Sequence, residues 1–319
     1  MPPKLAIIVP CYNEEEILQS SNQKLSALLD NLIGEKSIDP GSRIFYVDDG
    51  SSDRTWEIIE GHTLSGGKAA GIKLSRNFGH QFALLAGLES QAGHFDIYIT
   101  IDADLQDDIQ VMEEMIKLNA QGSSIVYGVR SDRSSDSFFK RQTAQGFYKL
   151  MGWMGVKTIY NHADYRLIDG KALDELMRFG EANLFLRGIF PLIGLKHSVV
   201  EYSRSARTAG KTKFPLKKMT SFAWDGITSF SVKPLRIVLY LGILIFLFSI
   251  ALAIWAIVVY TRHKTIPGWT SMIIPMAFFG GFQMIFLGII GEYVGKIYKE
   301  VKARPRYIIE KKTTNPQTP

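Results

Sequence analysis

The chain has 319 residues, 46% hydrophobic, with 37 Lys and Arg against 31 Asp and Glu and a net charge of +6. That length can bury a sizeable core and can hold more than one domain. The charge is too modest to argue for nucleic acid, no zinc-ligand spacing or recognition motif supports that class, and a single cysteine, Cys11, excludes an internal disulfide.

Met1-Pro-Pro-Lys4 leads straight into a strand, without the basic start, apolar core and cleavage site of a signal peptide. Leu5 to Pro10 is a continuous apolar run, the pattern of a strand buried on both faces. After Cys11-Tyr-Asn-Glu14, the spacing of Ile17, Leu18, Leu25, Leu28, Leu29 and Leu32 predicts a helix. Arg43 to Val47 reads as a second strand, and Asp53 as the N-cap of a helix over 54–60. Ala70 to Leu74 is a third strand, with Phe82 to Leu88 in the next helix. Asp96 to Ile101 is a fourth strand, Ile109 to Leu118 a helix and Ser124 to Val129 a fifth strand.

This alternation predicts an α/β, Rossmann-like and mainly parallel sheet covered on both faces. Ligands of such sheets bind at the carboxyl ends of the strands. Tyr12, Glu14, Asp48, Asp49, Asn77, Asp102, Asp104 and Arg130 all fall at those ends. Gly61 to Lys68 departs from a P-loop by an extra glycine and leads into a strand, and no Gly-x-Gly-x-x-Gly follows the first strand. Both features argue against an NTPase or a dehydrogenase.

The fourth strand runs into Thr100-Ile-Asp-Ala-Asp-Leu-Gln106. In an extended segment Asp102, Asp104 and Gln106 project to one side. Hard cations such as Mg²⁺ or Mn²⁺ take oxygen ligands and keep positions for water and substrate phosphates. The triad is therefore expected to be a metal-diphosphate site; a solvated acidic turn is the alternative for Asp-x-Asp taken alone.

Residues 131–233 are less regular. Asp136 to Gly152 is expected to be helical. Ala163 to Ile168 reads as a short strand carrying Asp164 and Arg166, and Val199 to Tyr202 as another. Asn183 to Leu195 is apolar with one cation, Arg187, and Arg207 to Phe214 is a basic loop. Lys217, Lys218, Phe222 and Trp224 suggest a segment lying on a membrane surface. Ile237 to Tyr260 and Thr265 to Gly291 carry no charge, and each is long enough to cross a bilayer as a helix. Basic residues crowd the outer flanks, while the intervening turn has only Arg262 and Lys264. By the positive-inside rule both ends of the chain face the cytoplasm.

Pro10-Cys-Tyr-Asn-Glu14, Val47-Asp-Asp-Gly-Ser51 and Asp102-Ala-Asp-Leu-Gln106, in that order, resemble the signatures of glycosyltransferase family 2 with its inverting GT-A fold. Ala163-Asp-Tyr-Arg166, the Arg207-x-x-Gly210-x-x-Lys213 loop, the two-helix anchor, Gly291-Glu-Tyr-Val-Gly295 and Arg304-Pro305 narrow the likeness. They resemble polyprenyl-phosphate glycosyltransferases, which include dolichyl-phosphate mannose synthases and bactoprenol glucosyltransferases of the GtrB type. Thr212 and Phe214 stand where that branch is expected to have serine and tyrosine.

The resemblance implies a GT-A domain over 1–213, an amphipathic juxtamembrane segment over 214–235, two transmembrane helices over 236–294 and a basic cytoplasmic tail over 295–319. It implies inverting transfer of a sugar, with UDP-glucose as the expected donor, to a polyprenyl phosphate such as undecaprenyl phosphate at the cell membrane. GDP-mannose, a UDP-N-acetylhexosamine, or a non-catalytic nucleotide-sugar sensor remain as alternatives. Pro10, Tyr12, Glu14, Asp48, Asp49 and Asn77 would form the nucleotide-sugar pocket, and Asp102, Asp104 and Gln106 would hold Mg²⁺ or Mn²⁺. Arg130, Arg207, Lys213 and Arg166 are the phosphate candidates. Asp164 is placed in the catalytic site with its role open: orienting group, base, or partner of Arg166 in a structural ion pair. Self-association to a homo-oligomer is also implied.

Overall fold

The computed structural model describes residues 1–131, 162–181, 185–203, 228, 231–261 and 268–313. Arg207, Lys213, the expected helix over 136–152, the basic surface segment around 217–224 and the turn cations Arg262 and Lys264 lie outside the described residues. The described residues divide into two units, one comprising 1–203 and 304–313 and the other lying within 228–303.

The first unit is built on one eight-stranded sheet. In chain order its strands are β1 (Leu5–Cys11), β2 (Arg43–Asp48), β3 (Ala69–Leu74), β4 (Ile97–Thr100), β5 (Ile125–Arg130), β6 (His162–Asp169), β7 (His197–Tyr202) and β8 (Ile309–Lys312). Their order across the sheet is β7-β5-β6-β4-β1-β2-β3-β8. The pairs β1/β2, β1/β4, β2/β3 and β5/β7 are parallel, whereas β6 runs against both β4 and β5, and β8 runs against β3. The expected, mainly parallel sheet is thus present with one antiparallel strand, β6, inserted and another, β8, added at its edge.

Leu5 to Val9 of the central strand β1 are fully enclosed. Leu5, Ile7, Ile8 and Val9 each contribute roughly 1.5–3 kcal/mol by leaving water. Helices α1 (Leu18–Gly34), α2 (Thr55–Leu64), α3 (His80–Gln91), α4 (Val111–Ala120), α5 (Gly170–Met177) and α6 (Leu186–Ile193) accompany the sheet. Helix α3 packs on β1 and β2. A Cβ at Gly87 would stand 2.4 Å from Ile8 Cγ2 and 2.9 Å from Val47 Cγ2, so this close approach requires glycine. Asp53 does not cap α2 from the adjoining position. Its Oδ1 accepts from the Thr55 amide and its Oδ2 from Glu15, which joins the loops after β1 and β2.

The segment expected as a basic tail has structure of its own. Ile309–Lys312 adds to the edge of β3, and the Thr313 amide donates to Gly71 O. Just before it, Arg306 Nη2 and Tyr307 OH donate to the two carboxylate oxygens of Glu89 on α3, at 2.6 and 2.5 Å.

The second unit contains α7 (Lys233–Thr261) and α8 (Trp269–Val301), which contact each other. Tyr293 OH of α8 donates to Ser231 O just before α7, at 2.6 Å. Lys233–Leu252 and Phe278–Val301 have mean hydropathies of 2.5 and 1.4 and are unburied. Leu239, Phe246, Trp255, Met276, Met284 and Ile297 are exposed. A core helix of a soluble protein would bury such a surface; these two are long and apolar enough to cross a membrane and expose it instead. The chain is therefore membrane-associated.

Candidate active site

The loops after β1, β2 and β3 are laced together at the carboxyl edge of the sheet. Asn13, in a left-handed conformation at φ 53°, donates its amide to Ser51 Oγ and accepts from the Ser52 amide through Oδ1. The Glu14 amide donates to Thr55 Oγ1, and the Asp49 amide to Cys11 O. Gly50 has φ +67°, and a Cβ there would lie 2.4 Å from the Arg76 carbonyl carbon, so only glycine lets the third loop cross the second.

Within this frame Pro10 is buried near the end of β1, and Tyr12 is 42% exposed at the edge. Asp48 is fully buried; its Oδ1 accepts from the Ser51 amide, and its buried Oδ2 has no hydrogen-bond partner among the described residues. Burial pushes its carboxyl above the usual range, against the opposing pull of the Ser51 hydrogen bonds and Lys73. Asp49 is also buried, and its two oxygens accept from the Phe78 and Gly79 amides at 2.7 and 2.9 Å. This carboxylate ties down the β3–α3 loop, which differs from the nucleoside contact expected of it. Asn77 is exposed on that loop.

The expected extended Asp102-x-Asp104-x-Gln106 segment is replaced by a turn. Strand β4 ends at Thr100, the Leu105 amide donates to Asp102 O at 3.2 Å, and Leu105 has φ 42°. Alternation of side chains ends with the strand, so the three do not project from one extended face. The Gln106 amide donates to Asp104 Oδ1 at 3.3 Å, and the Gln106 side chain is buried. Arg130, at the end of β5, reaches Asp107 Oδ1 at 3.3 Å and Tyr202 OH at 3.4 Å.

The reversed strand β6 completes the edge. Its register pairs Arg166 with Thr100, which brings Asp164 beyond the end of β4, level with Asp102. Thr100 Oγ1 donates to Asp164 O at 2.5 Å. Two arginines and a histidine converge on the buried Asp164 carboxylate. Arg166 Nη2 is 2.7 Å from Oδ1; Arg187 donates through Nε to Oδ1 at 3.2 Å and through Nη2 to Oδ2 at 3.1 Å; His80 Nε2 is 3.5 Å from Oδ2. Burial alone would raise this carboxyl, but Arg187, the His80 hydrogen bond and Arg166 outweigh it and hold it well below the usual carboxylate range. A carboxylate so held is a fixed anion, poorly suited to accept a proton. Arg166 is 1% exposed, lies 4.4 Å over the Phe190 ring and pairs with Asp164. It supports Asp164 from below, so the expectation that it takes the acceptor phosphate gives way to this enclosed ion pair.

Two members of this site escaped the sequence reading as site residues. Arg187, on the first turn of α6, stood out only as the lone cation of an apolar stretch. A charge in such a stretch needs an anion when folded, and that was its signal. His80 opens α3, three residues after Asn77 on the same loop, and its position at the sheet edge was the available clue.

The edge fits a divalent cation by its donor chemistry. Asp102 Oδ1 is buried without a hydrogen bond among the described residues. Burial raises the Asp102 carboxyl and Asp164, Asp107 and Asp104 add to this, with His80 opposing. A carboxylate set beside other acids is stabilised by a hard cation, and Asp104 stands on the same turn. No group of three His, Cys, Asp or Glu side chains suited to a metal occurs among the described residues. A cation here would draw its remaining ligands from water and a bound diphosphate.

Comparison with known proteins agrees with this geometry. The model of Glycosyl transferase family 2 matches residues 6–190. The uncharacterized glycosyltransferase YkoT of Bacillus subtilis (strain 168) is 52% identical over 308 residues, 97% of this chain and 91% of that protein. The SfII prophage-derived bactoprenol glucosyl transferase of Shigella flexneri is 37% identical over 97% of this chain and 98% of its own length. The prophage bactoprenol glucosyl transferase homolog of Escherichia coli (strain K12) is 37% identical over 97% of this chain and 99% of its own. The chain belongs to glycosyltransferase family 2, and its sheet domain is that family's GT-A fold.

Proposed function

We propose that this protein transfers a sugar, glucose from UDP-glucose, to a polyprenyl phosphate such as undecaprenyl phosphate at the cytoplasmic face of the cell membrane. The observation that carries the proposal is the union in one chain of an acidic, arginine-supported sheet edge and two exposed apolar helices. A soluble acceptor would not require the helices. The 37% identity to bactoprenol glucosyl transferases over almost the whole chain supports the same acceptor class.

The acceptor's phosphate oxygen attacks the anomeric carbon as the bond to UDP breaks, with inversion to a β-linked lipid sugar. A phosphate acceptor is already ionised at neutral pH and needs orientation and charge neutralisation more than a base. That matches an Asp164 fixed as an anion. Tyr12, Glu14 and Asp48 are proposed to line the nucleoside pocket, while Asp49 shapes it from behind. Asp102 and Asp104 would hold Mg²⁺ or Mn²⁺, which when bound neutralises charge on the leaving diphosphate. Arg130, Arg207 and Lys213 are proposed for the phosphates, joined by Arg187, which is about one-third exposed beside Asp164. Basic flanks of the apolar helices support cytoplasmic termini. Open faces at Gly280, Gly281, Gly288 and Gly291 of α8 support self-association within the bilayer.

The test is transfer from labelled nucleotide sugars to undecaprenyl phosphate in membranes containing the protein, with and without metal. Metal-dependent lipid-soluble label from UDP-glucose is expected, and Asp102→Ala or Asp104→Ala should abolish it. Label from GDP-mannose or a UDP-N-acetylhexosamine alone would replace the donor. No lipid-linked label from any donor, with UDP binding intact, would refute the acceptor.

A further inference from the structure

We infer that His80 is a positioning residue that fixes the Asp102 carboxylate for its cation by bridging it to the arginine-held Asp164. The inference rests on the metal-dependent transfer proposed above. His80 Nε2 lies 3.5 Å from Asp102 Oδ1 and 3.5 Å from Asp164 Oδ2, so a single ring N–H faces both acids. The two carboxylates differ in how they are held. Asp164 is anchored by Arg166 and by both donors of Arg187. Asp102 Oδ1 is buried and makes no hydrogen bond among the described residues. The imidazole stands at ion-pair distance from both acids, and through it the rigid acid restrains the other.

The backbone that carries the half-exposed ring is held from behind. His80 is the first residue of α3, and the two amides just before it, Phe78 and Gly79, are held by the buried Asp49. Gly79 has φ +105°, a conformation natural to glycine. Next to it, Gln81 Oε1 accepts from the Leu186 amide, which seats the start of the helix that carries Arg187. Asp49, Gly79, His80 and Gln81 thus form one support running from the nucleotide loops to the acidic turn. Groups that orient a metal ligand without touching the metal commonly govern affinity by about 10–100-fold.

The test compares full-length His80→Ala and His80→Gln with wild type in detergent. Mn²⁺ affinity is read by electron paramagnetic resonance at saturating UDP, UDP affinity without metal by calorimetry, and folding by thermal unfolding. His80→Ala should weaken Mn²⁺ binding about 10-fold or more. Metal-free UDP affinity should stay within about twofold, and His80→Gln, which keeps an N–H donor, should recover part of the loss. Wild-type Mn²⁺ affinity in a folded His80→Ala variant would overturn the inference alone. Should that variant not fold, His80→Leu is compared with His80→Gln, and equal Mn²⁺ affinities would overturn it. UDP binding by wild type that is indifferent to Mn²⁺ would overturn the metal reading and this inference together.

Discussion

Replacing Asp164 by asparagine keeps its volume and one acceptor oxygen but removes the charge that Arg166 was folded around. Arg166 is 1% exposed, so its guanidinium cannot recover water where it stands. Arg187 is about one-third exposed and can turn outward, so its loss is the smaller one. Removing one partner of a buried pair costs about 3–5 kcal/mol, and the retained acceptor argues for the low end, about 3 kcal/mol. For a domain of this size that lowers the unfolding midpoint by about 6–12 °C. The assay is thermal unfolding in detergent for Asp164→Asn, Arg166→Met and the double variant. The double variant leaves no buried charge uncompensated and should regain most of the loss, a coupling the cycle measures directly. The pH dependence has a defined sign. The folded carboxyl lies well below the ordinary Asp value of about 3.9, so its contribution is complete above that value and is lost only as pH falls through the depressed folded value. From about pH 5 to 8 the carboxyl itself adds no slope, but His80, whose pKa is raised against burial by the Asp164 hydrogen bond and by Asp102, does, so the difference between wild type and Asp164→Asn should narrow as pH rises through that range. A shift under about 2 °C for Asp164→Asn, or a double variant no more stable than the single, would refute a buried, mutually dependent pair.

Other perturbations probe the frame around the site. Gly50→Ala should cost about 1–3 kcal/mol through its positive φ and its clash with the Arg76 backbone, and should weaken UDP binding measured by calorimetry. His62 is held neutral by burial, which lowers its pKa from the usual 6.5. The unfolded chain takes up its proton first on acidification, so stability should fall as pH drops below about 6.5, and His62→Asn should flatten that part of the profile in urea unfolding. Glu89→Ala should cost about 1–3 kcal/mol and speed hydrogen exchange over 304–313, since it removes the acceptor of both Arg306 and Tyr307. Exchange there at the wild-type rate would show that β8 alone retains the segment.

The parts of this protein readable from sequence are those whose cause is local. Leu5 to Val9 announces a buried central strand because every residue is apolar, and the uncharged stretches of α7 and α8 announce membrane helices because lipid demands that length and composition. The polar residues after β1, β2 and β4 could be gathered at one edge because parallel strands all end there. Folding decided what depends on pairing between distant segments. Strand β8 is Ile-Glu-Lys-Lys and carries no apolar pattern; backbone hydrogen bonds to an open sheet edge hold it. Asp164 faces Asp102 only because β6 runs backwards beside β4 in one particular register. The same register encloses Arg166, while the packing of α6 and α3 brings Arg187 and His80 onto a shared carboxylate. Side-chain alternation predicted an extended acidic triad, but the chain turns at Leu105, beyond the last ladder hydrogen bond that could have kept it straight. Composition and period report which residues must leave water; register and helix packing decide which charges then meet.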